Sequence, residues 1–413
     1  MKNRSWTALL LAALMLTGCG AQHSLSTQTP AVPAAEFMQP EPDGKETDIG
    51  FSAAQYRFAL ELLRNVQKAK GQANVMVSPY SVMQALAMTA NGAANQTRTE
   101  MEQVLGNGIS VNDLNEYLYA WRTNQPDSDS CRLHTANGIW INRDIEQINQ
   151  LFVTQNQNYY AAEIRKAAFD QKTVKEINGF VNKATGRMIP EILSELDPDA
   201  PAVLVNAVSF EGKWAVSYEK EQIRDGVFHN ADGSESTVQM MNGEESEYLE
   251  SEGAVGFLRC YDGPYAFAGI LPPEHISVQD WLDAQSPESL LAMIEGRQEC
   301  AVMSVMPAFT ADTDVHLEQI LPDMGMPSAF SGSADFSCMS DTPMRISEVI
   351  HKTHIEVDAK GTKAAAATAV VMQKNDAEVL PEKTVRLDRP FVYMILDMNT
   401  ELPVFVGTVQ QIP

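Results

Sequence analysis

The stretch VIHKTHIEVDAKGTKAAAATAVVM, residues 349–372, decides how this 413-residue chain is interpreted. Its first part, VIHKTHIEVDA, looks like extended chain. The part from Lys360 onward holds five alanines and then ends in Val370, Val371 and Met372. Alanine favours helix and valine favours strand, so the segment does not favour one secondary structure. The rest of the sequence has to explain why the chain keeps such a segment.

The composition is that of a folded protein with a strong negative charge. Hydrophobic residues make up 44% of the chain and charged residues 20%, which is enough for a sizeable core. The formal net charge is −24, and nothing resembles a basic surface matched to phosphates. We therefore expect no nucleic-acid partner, and the charge is typical of a protein that stays soluble outside a cell.

Residues 1–19 have the pattern of a lipoprotein signal peptide. Lys2 and Arg4 precede an apolar run over residues 7–16, which is too short to span a membrane. The run ends in Leu-Thr-Gly-Cys, which is similar to a bacterial lipobox, so we expect Cys19 to carry a lipid anchor. The alternative is an ordinary signal peptide in which this cysteine occurs by chance.

The segment after the signal peptide predicts a tether. Residues 20–48 contain four prolines among Ser, Thr, Gln and Ala and show no apolar period. We expect a flexible connection here, followed by a single domain over residues 49–413.

The sequence predicts neither a metal site nor an enzyme. Four further cysteines, at positions 131, 260, 300 and 338, form no C-x-x-C pair, and we favour buried free thiols over two disulfides. His351 and His354 are three residues apart, so an extended chain would place them on opposite faces. The metalloprotease, nucleophile-elbow and P-loop motifs are absent, and we expect no cofactor.

Periodicity and turn residues predict an α+β domain of one piece. Ser78 is placed to cap a helix in which Pro79 takes the first position. Helices dominate the first half of the chain and strands the second. The predicted helices are residues 51–68, 80–90, 96–105 and 174–185, and the predicted strands are residues 74–77, 135–142, 202–210, 267–271, 301–306, 391–397 and 402–409.

Six further phrases, in order along the chain, accompany the opening stretch. Together they cover residues 51–412, and through them the chain closely resembles the serpin family. The resemblance implies three β-sheets, about nine helices and an exposed reactive-centre loop. The phrases are NVMVSPYSVMQALAM (74–88), NGAANQTRTEM (91–101), VLVNAVSFEGKW (203–214), AFAGILPPE (266–274), VMPAF (305–309) and RPFVYMILDMNTELPVFVGTV (389–409).

The resemblance implies inhibition of a serine protease by a suicide-substrate mechanism. The protease attacks the loop and forms an acyl-enzyme, and the cleaved loop then inserts into the central sheet and distorts the protease. Counting from the hinge glycine places the attacked bond between Asn375 and Asp376. A loop one residue shorter places it between Lys374 and Asn375, and the valines before Met372 offer a third position. The hinge and loop residues are Ala359, Lys360, Gly361, Thr362, Lys363, Ala364, Ala365, Ala366, Ala367 and Thr368.

The alanine-rich segment suits insertion on physical grounds as well. If it becomes a strand, every second residue from Thr362 to Met372 faces the core, and none of these is charged. The nearest charge, Lys363, lies on the other face. Two features depart from the family pattern: Ala359 and Lys363 stand where glutamate is common, and the loop up to Arg389 is about four residues longer than usual.

Five residues carry over from the family's sheet-opening regions. Ser78, Ser81, Asn206 and His351 match the shutter, a polar cluster beneath the central strands, and Trp214 matches the breach, where the loop first enters. Core packing, or helix capping for Ser78, is the plainer interpretation of each.

We therefore expect a monomeric inhibitory serpin that is held by lipid on the extracellular face of a bacterial cell membrane, or released from it. It would form a covalent 1:1 complex with a serine protease. A serpin-fold carrier without inhibitory activity, an inhibitor of a cysteine protease, and a lipoprotein enzyme or solute-binding protein are the alternatives.

Overall fold

The computed structural model describes residues 42–125, 128, 130–362 and 383–413. The predicted signal peptide with Cys19, most of the predicted tether, the loop from Lys363 to Thr368 and the candidate bonds at Lys374, Asn375 and Asp376 lie outside the described residues. Within them, no helix combines the length and apolar character that crossing a membrane requires.

Eight α-helices and three short 3-10 helices lie in the described part of the chain, close to the nine helices expected. Ser78 caps α2 as predicted, because its hydroxyl accepts from the Ser81 amide, and Pro79 takes the first position. Every residue of α2 is buried, as expected of a helix that is apolar on all sides. The α-helices are α1 (Ile49–Lys70), α2 (Pro79–Ala90), α3 (Asn95–Gly106), α4 (Val111–Thr123), α5 (Gln150–Tyr160), α6 (Gln171–Ala184), α7 (Val278–Ala284) and α8 (Pro287–Glu295), and the 3-10 helices are Lys220–Gln222, Leu317–Gln319 and Pro327–Phe330.

Fifteen strands are described, and their hydrogen bonds join them into two sheets. The six-stranded sheet has the order β10-β11-β12-β4-β2-β3, and the larger one has the order β1-β15-β14-β8-β7-β6-β9-β13 with β5 beside β6. The strands are β1 (Val75–Val77), β2 (Cys131–Asn142), β3 (Glu163–Ala167), β4 (Ala202–Lys213), β5 (Ile223–His229), β6 (Glu235–Ser251), β7 (Ala254–Cys260), β8 (Tyr265–Leu271), β9 (Gln298–Pro307), β10 (Phe309–His316), β11 (Val349–Asp358), β12 (Gly361–Thr362), β13 (Lys383–Arg386), β14 (Phe391–Asp397) and β15 (Leu402–Val409).

The sequence predicted three sheets, and β6 explains why two are counted among the described residues. This strand is 17 residues long, and its first half pairs with β5 while its second half pairs with β7. Its pairing with β9 shifts register between Glu245 and Glu247, so one strand continues from one sheet region into the next.

The core lies on both faces of the six-stranded sheet. The larger apolar cluster joins α1 and α2 to the nine-stranded sheet, with Phe58, Leu62 and Phe405 at most 1% exposed. The smaller one packs Ile177 of α6 against Val203 and its neighbours on the other face. The six-stranded sheet is therefore covered on both sides, and residues 202–210 of β4 are all buried, as their apolar run predicted.

Two details differ from the expectations. Residues 44–48, which the sequence placed in the tether, are bound to α4, since Gly44 and Lys45 donate to Glu116 and the Tyr117 hydroxyl donates to Asp48.

All four described cysteines are free, but the prediction that they are buried is wrong for three of them. Only Cys131 is buried, whereas the others, at positions 260, 300 and 338, lie near strand ends or in a surface turn.

Candidate functional site

The six-stranded sheet is closed at one end and opened at the other. At the closed end β11 and β4 pair directly in parallel, with Val349 opposite Leu204 and His351 opposite Asn206. At the open end the two-residue strand β12 lies between them and pairs with both, since Gly361 is opposite Lys213 on one side and Asp358 on the other. Two residues of the predicted hinge, Gly361 and Thr362, thus already occupy a strand position in the sheet.

The turn that leads into β12 is held by its own backbone and by an aspartate. The Asp358 carboxylate accepts hydrogen bonds from the amides of Lys360 (2.7 Å) and Gly361 (3.1 Å). Ala359 and Lys360 form the turn itself. Such a side-chain bond to the backbone two and three residues on is how aspartate stabilises tight turns, so the local sequence Asp-Ala-Lys-Gly accounts for the reversal.

Trp214 and the residues after it hold the same turn from outside. The indole Nε1 of Trp214 donates to the Asp358 carbonyl at 2.8 Å. The Trp214 amide donates to the Lys360 carbonyl and the Tyr218 amide to the Ala359 carbonyl, each at 2.9 Å. The structure therefore places Trp214 against the predicted hinge, where three hydrogen bonds join the two segments.

Thr362 lies beneath this turn and is fully buried. Its hydroxyl shares a hydrogen bond of 2.7 Å with the phenol of Tyr261, whose ring stacks on Trp214 with 4.4 Å between centroids. Burial raises the pKa of Tyr261, so the phenol stays protonated. The side chain of Thr362, the first residue of the uncharged alternating set, is thus turned to the core.

The structure brings Ser78, Ser81, Asn206 and His351 together in one buried polar cluster below the closed end. The Ser78 amide donates to His351 Nε2 at 3.0 Å, and the Ser78 hydroxyl donates to the Val404 carbonyl. The Ser81 hydroxyl donates to the Asn206 amide oxygen at 2.9 Å, and the Asn206 amide nitrogen donates back to the Ser81 carbonyl. The cluster ties α2 to both β11 and β4.

His351 is neutral in this cluster. Its ring is fully buried, and desolvation lowers its pKa from 6.5 to about 3. Because Nε2 accepts from Ser78, the ring proton is on Nδ1, which has no partner among the described residues. His354 lies on the opposite face of β11, as expected for an extended chain. Its Nδ1 is 2.7 Å from Asp312 Oδ1. No set of three metal-ligating side chains occurs in the described ranges.

Sequence reasoning missed several members of both regions. Asn137 and Gln84 extend the polar cluster, since Asn206 donates to Asn137 and Asn137 donates to Gln84. Tyr261 hydrogen-bonds to Thr362, and Arg259 donates to the carbonyl of Val216, which lies close to Trp214 in sequence. Gln84 could have been identified from the sequence, because it is a polar residue inside a helix that is otherwise apolar. No sequence feature indicates that the strand of Arg259 lies near the hinge.

A family model described as "Serpin (serine protease inhibitor)" matches residues 53–412. The chain belongs to the serpin family. Its fold is the serpin fold, and serpins as a class inhibit proteases rather than catalyse reactions. Among curated relatives it is 29% identical to an alpha-1-antitrypsin-like protein of Tamias sibiricus, over 98% of this chain and 97% of that protein. It is 28% identical to alpha-1-antitrypsin 1-2 of Mus musculus, with the same coverage.

Solved serpin structures resemble the whole domain. The native state of Tengpin, a thermophilic serpin, is 38% identical with a TM-score of 0.84, covering 89% of this chain and 96% of that one. Its latent state is 36% identical with a TM-score of 0.79, covering 90% and 100%. Thyroxine-binding globulin, at 24% identity and a TM-score of 0.76 over 87% of this chain and 98% of that one, shares the fold.

Proposed function

We propose that this serpin inhibits an extracellular serine protease by inserting its cleaved loop between β4 and β11. One observation carries the proposal: β12 is already seated between these strands at the open end. A loop that enters the sheet at its first two residues has its entry point and its two neighbouring strands, β4 and β11, already defined. Loop insertion is a form of strand addition, in which main-chain hydrogen bonds provide the stabilisation.

The insertion path crosses the polar cluster. Val349 to Lys352 pair directly with Leu204 to Ala207, and these bonds must break before a new strand can lie between them. His351 and Asn206 face each other at this point, and both hydrogen-bond to α2 or its cap. Because each keeps such a partner when β4 and β11 separate, the sheet can open here without orphaning these polar groups.

We place the attacked bond between Asn375 and Asp376, with the bond between Lys374 and Asn375 as the second candidate. The protease serine adds to the carbonyl carbon, the amine of the next residue leaves with a proton, and an ester joins protease and loop. Insertion then competes with hydrolysis of that ester. A lysine before the bond would suit a protease pocket that carries a carboxylate.

We further propose that the mature protein is a monomer anchored by lipid at Cys19 to the outer face of a bacterial cell membrane. The part of residues 20–48 that precedes Gly44 would connect the anchor to the domain. The support is the sequence of residues 1–19. An extracellular position gives the loop access to secreted proteases.

Thermal unfolding before and after loop cleavage tests the proposal. The protein is cut by a protease that cleaves only within residues 363–382, as checked by mass spectrometry. An inserting loop adds a central strand, so we expect the cleaved form to unfold at a much higher temperature than the intact one. An unchanged unfolding temperature, with the cut confirmed, would instead support a serpin-fold carrier.

A further inference from the structure

We propose that Arg259 is a positioning residue for the hinge, and that its ion pair with Glu245 holds the segment 214–218 against the turn that starts loop insertion. This inference rests on the proposed function, because it concerns how fast insertion begins. It involves no contact between Arg259 and the protease. Residues 214–218 are called the hinge support below.

The hinge support is poorly packed on its outer side. Val216 is 74% exposed, and the segment borders an open cleft of about 1160 Å³. Its inner side carries the three hydrogen bonds to Asp358, Ala359 and Lys360. A segment with solvent on one side needs a specific contact to keep its carbonyl and amide groups in register with the turn.

Arg259 supplies that contact with both terminal nitrogens and the face of its guanidinium group. One terminal nitrogen donates to the Val216 carbonyl at 2.5 Å and the other to Glu245 Oε1 at 2.6 Å. The same group lies 3.8 Å from the ring centroid of Tyr218 and 5.1 Å from that of Trp214. Arg259 therefore touches the middle and both ends of the hinge support, including the two residues whose amides bind the turn.

Glu245 fixes Arg259 in this position. Their side chains are 7% and 6% exposed, and the Ser304 hydroxyl donates to the same carboxylate oxygen at 2.8 Å. A charge-assisted pair in such surroundings is rigid and geometrically selective, whereas a lysine could not donate to Val216 and Glu245 in the same way. Glu245 is on β6, Arg259 on β7 and Ser304 on β9. The pair therefore connects three strands of the larger sheet to the hinge support and fixes the position of the turn relative to that sheet.

The consequence for inhibition is kinetic. In the acyl-enzyme, water can add to the ester carbonyl, after which the bond to the serine oxygen breaks, the serine regains its proton and a cleaved, inactive serpin is released. Insertion prevents this only if it is faster. A turn that is held in the geometry of β12 shortens the delay before the loop pairs with β4 and β11, so loss of Arg259 increases the fraction of cleaved product.

The test uses the full-length protein and a double variant, Arg259→Met with Glu245→Gln, which leaves no buried charge unpaired. Arg297→Met is the matched control, because Arg297 also forms ion pairs at the larger sheet, with Glu247 and Glu401, but does not contact the hinge support. The first readout is hydrogen exchange at the amides of Trp214 and Tyr218, relative to a core amide of β14. The second is the ratio of cleaved serpin to covalent complex.

We expect exchange at these two amides to be about tenfold faster or more in the double variant, as for the loss of a charged hydrogen bond, and unchanged in the control. The cleaved fraction should rise in parallel. Unchanged exchange at Trp214 and Tyr218 would overturn the proposal. If the double variant does not fold, Arg259→Lys takes its place, with faster exchange at Tyr218 expected and unchanged exchange again contradicting the role. If the wild-type protein forms no complex with any protease, the proposed function fails, while the exchange measurement still decides whether Arg259 holds the hinge.

Discussion

The carbonyl oxygen of Gly212 occupies the space that a Cβ atom on Gly361 would need. The backbones of β12 and β4 touch at this point, and Gly361 also has a φ of +150°. Only glycine fits such an approach without displacing one strand. The hinge glycine is therefore explained by the contact that seats β12.

Gly361→Ala should expel β12 from the sheet. The added methyl group meets backbone atoms of Gly212 and Lys213, which cannot move without breaking strand pairs. We expect a lower yield of covalent complex and a higher yield of cleaved serpin. Both are measured by denaturing gel electrophoresis after reaction with a protease that the wild-type protein inhibits.

Gly332→Ala is the control for this substitution, since nothing lies within 4 Å of the Cβ it would add. It should leave the product ratio unchanged. Equal product ratios for Gly361→Ala and the wild-type protein would show that β12 is not the starting point of insertion.

A charge on the inward face of the loop should block insertion. In an inserted strand, Ala366 would share the face of Thr362, which is fully buried, and Ala365 would lie on the opposite face. Ala366→Arg should convert the inhibitor into a substrate, because burying an unpaired arginine in the sheet costs more free energy than strand pairing supplies. Ala365→Arg should keep most of the inhibition. Comparable losses in the two variants, measured as moles of serpin needed per mole of protease, would contradict the assigned faces.

Protonation of His351 should destabilise the native protein in acid. The folded-state pKa of about 3 lies below the unfolded value of 6.5, so the neutral ring contributes its full stability above pH 6.5. As the pH falls from 6.5 towards 3, the unfolded state binds a proton that the native state does not, and the free energy of unfolding drops by up to about 1.4 kcal/mol per pH unit. Urea unfolding of the wild-type protein and His351→Gln at several pH values measures the difference between their slopes.

His354→Gln is the matched variant for the pH measurement. His354 lies on the same strand but is partly exposed, beside Asp312. The effect of His351→Gln on the slope is compared with that of His354→Gln, which also removes a histidine from β11. A slope for His351→Gln that equals the wild-type slope would mean that the buried ring is not the group responsible.

Lipid anchoring at Cys19 should depend on its thiol alone. In a bacterial host, Cys19→Ser should shift the protein from the membrane fraction to the soluble fraction, because no acyl chain can be attached. Mass spectrometry of the N-terminal peptide and fractionation measure this, with Cys260→Ser as the control. Membrane association that persists in Cys19→Ser would rule out the proposed anchor.

Much of the fold could be predicted from local patterns. The helix around Phe58, the capped helix after Ser78 and the strands of residues 202–210, 391–397 and 402–409 are all confirmed within a few residues. Each has an apolar period or an apolar run, which is the sequence signal of a buried helix or strand. α4, α5, β5 and β6 were not predicted, since their polar residues are frequent and their patterns weaken once one face is exposed. The mostly apolar β7 was not predicted either.

The candidate site was predictable in its members but less so in its geometry. Ser78, Ser81, Asn206 and His351 do form one cluster, although the role of that cluster remains a prediction. Sequence could not reveal that β12 is seated beside Gly212, because this depends on pairing between residues about 150 positions apart. Arg259 was missed for the same reason, because it precedes the hinge by about 100 positions.

Whether the cleaved loop traps its protease can be measured in a single reaction. The protein is mixed with serine proteases of several specificities, including one that cleaves after lysine, and the products are separated under denaturing conditions. We expect a stable complex whose mass is that of protease plus serpin less a released C-terminal fragment, which begins at Asp376, or at Asn375 for the second candidate bond. Cleaved serpin alone, with every protease that cuts residues 363–382, would contradict the account.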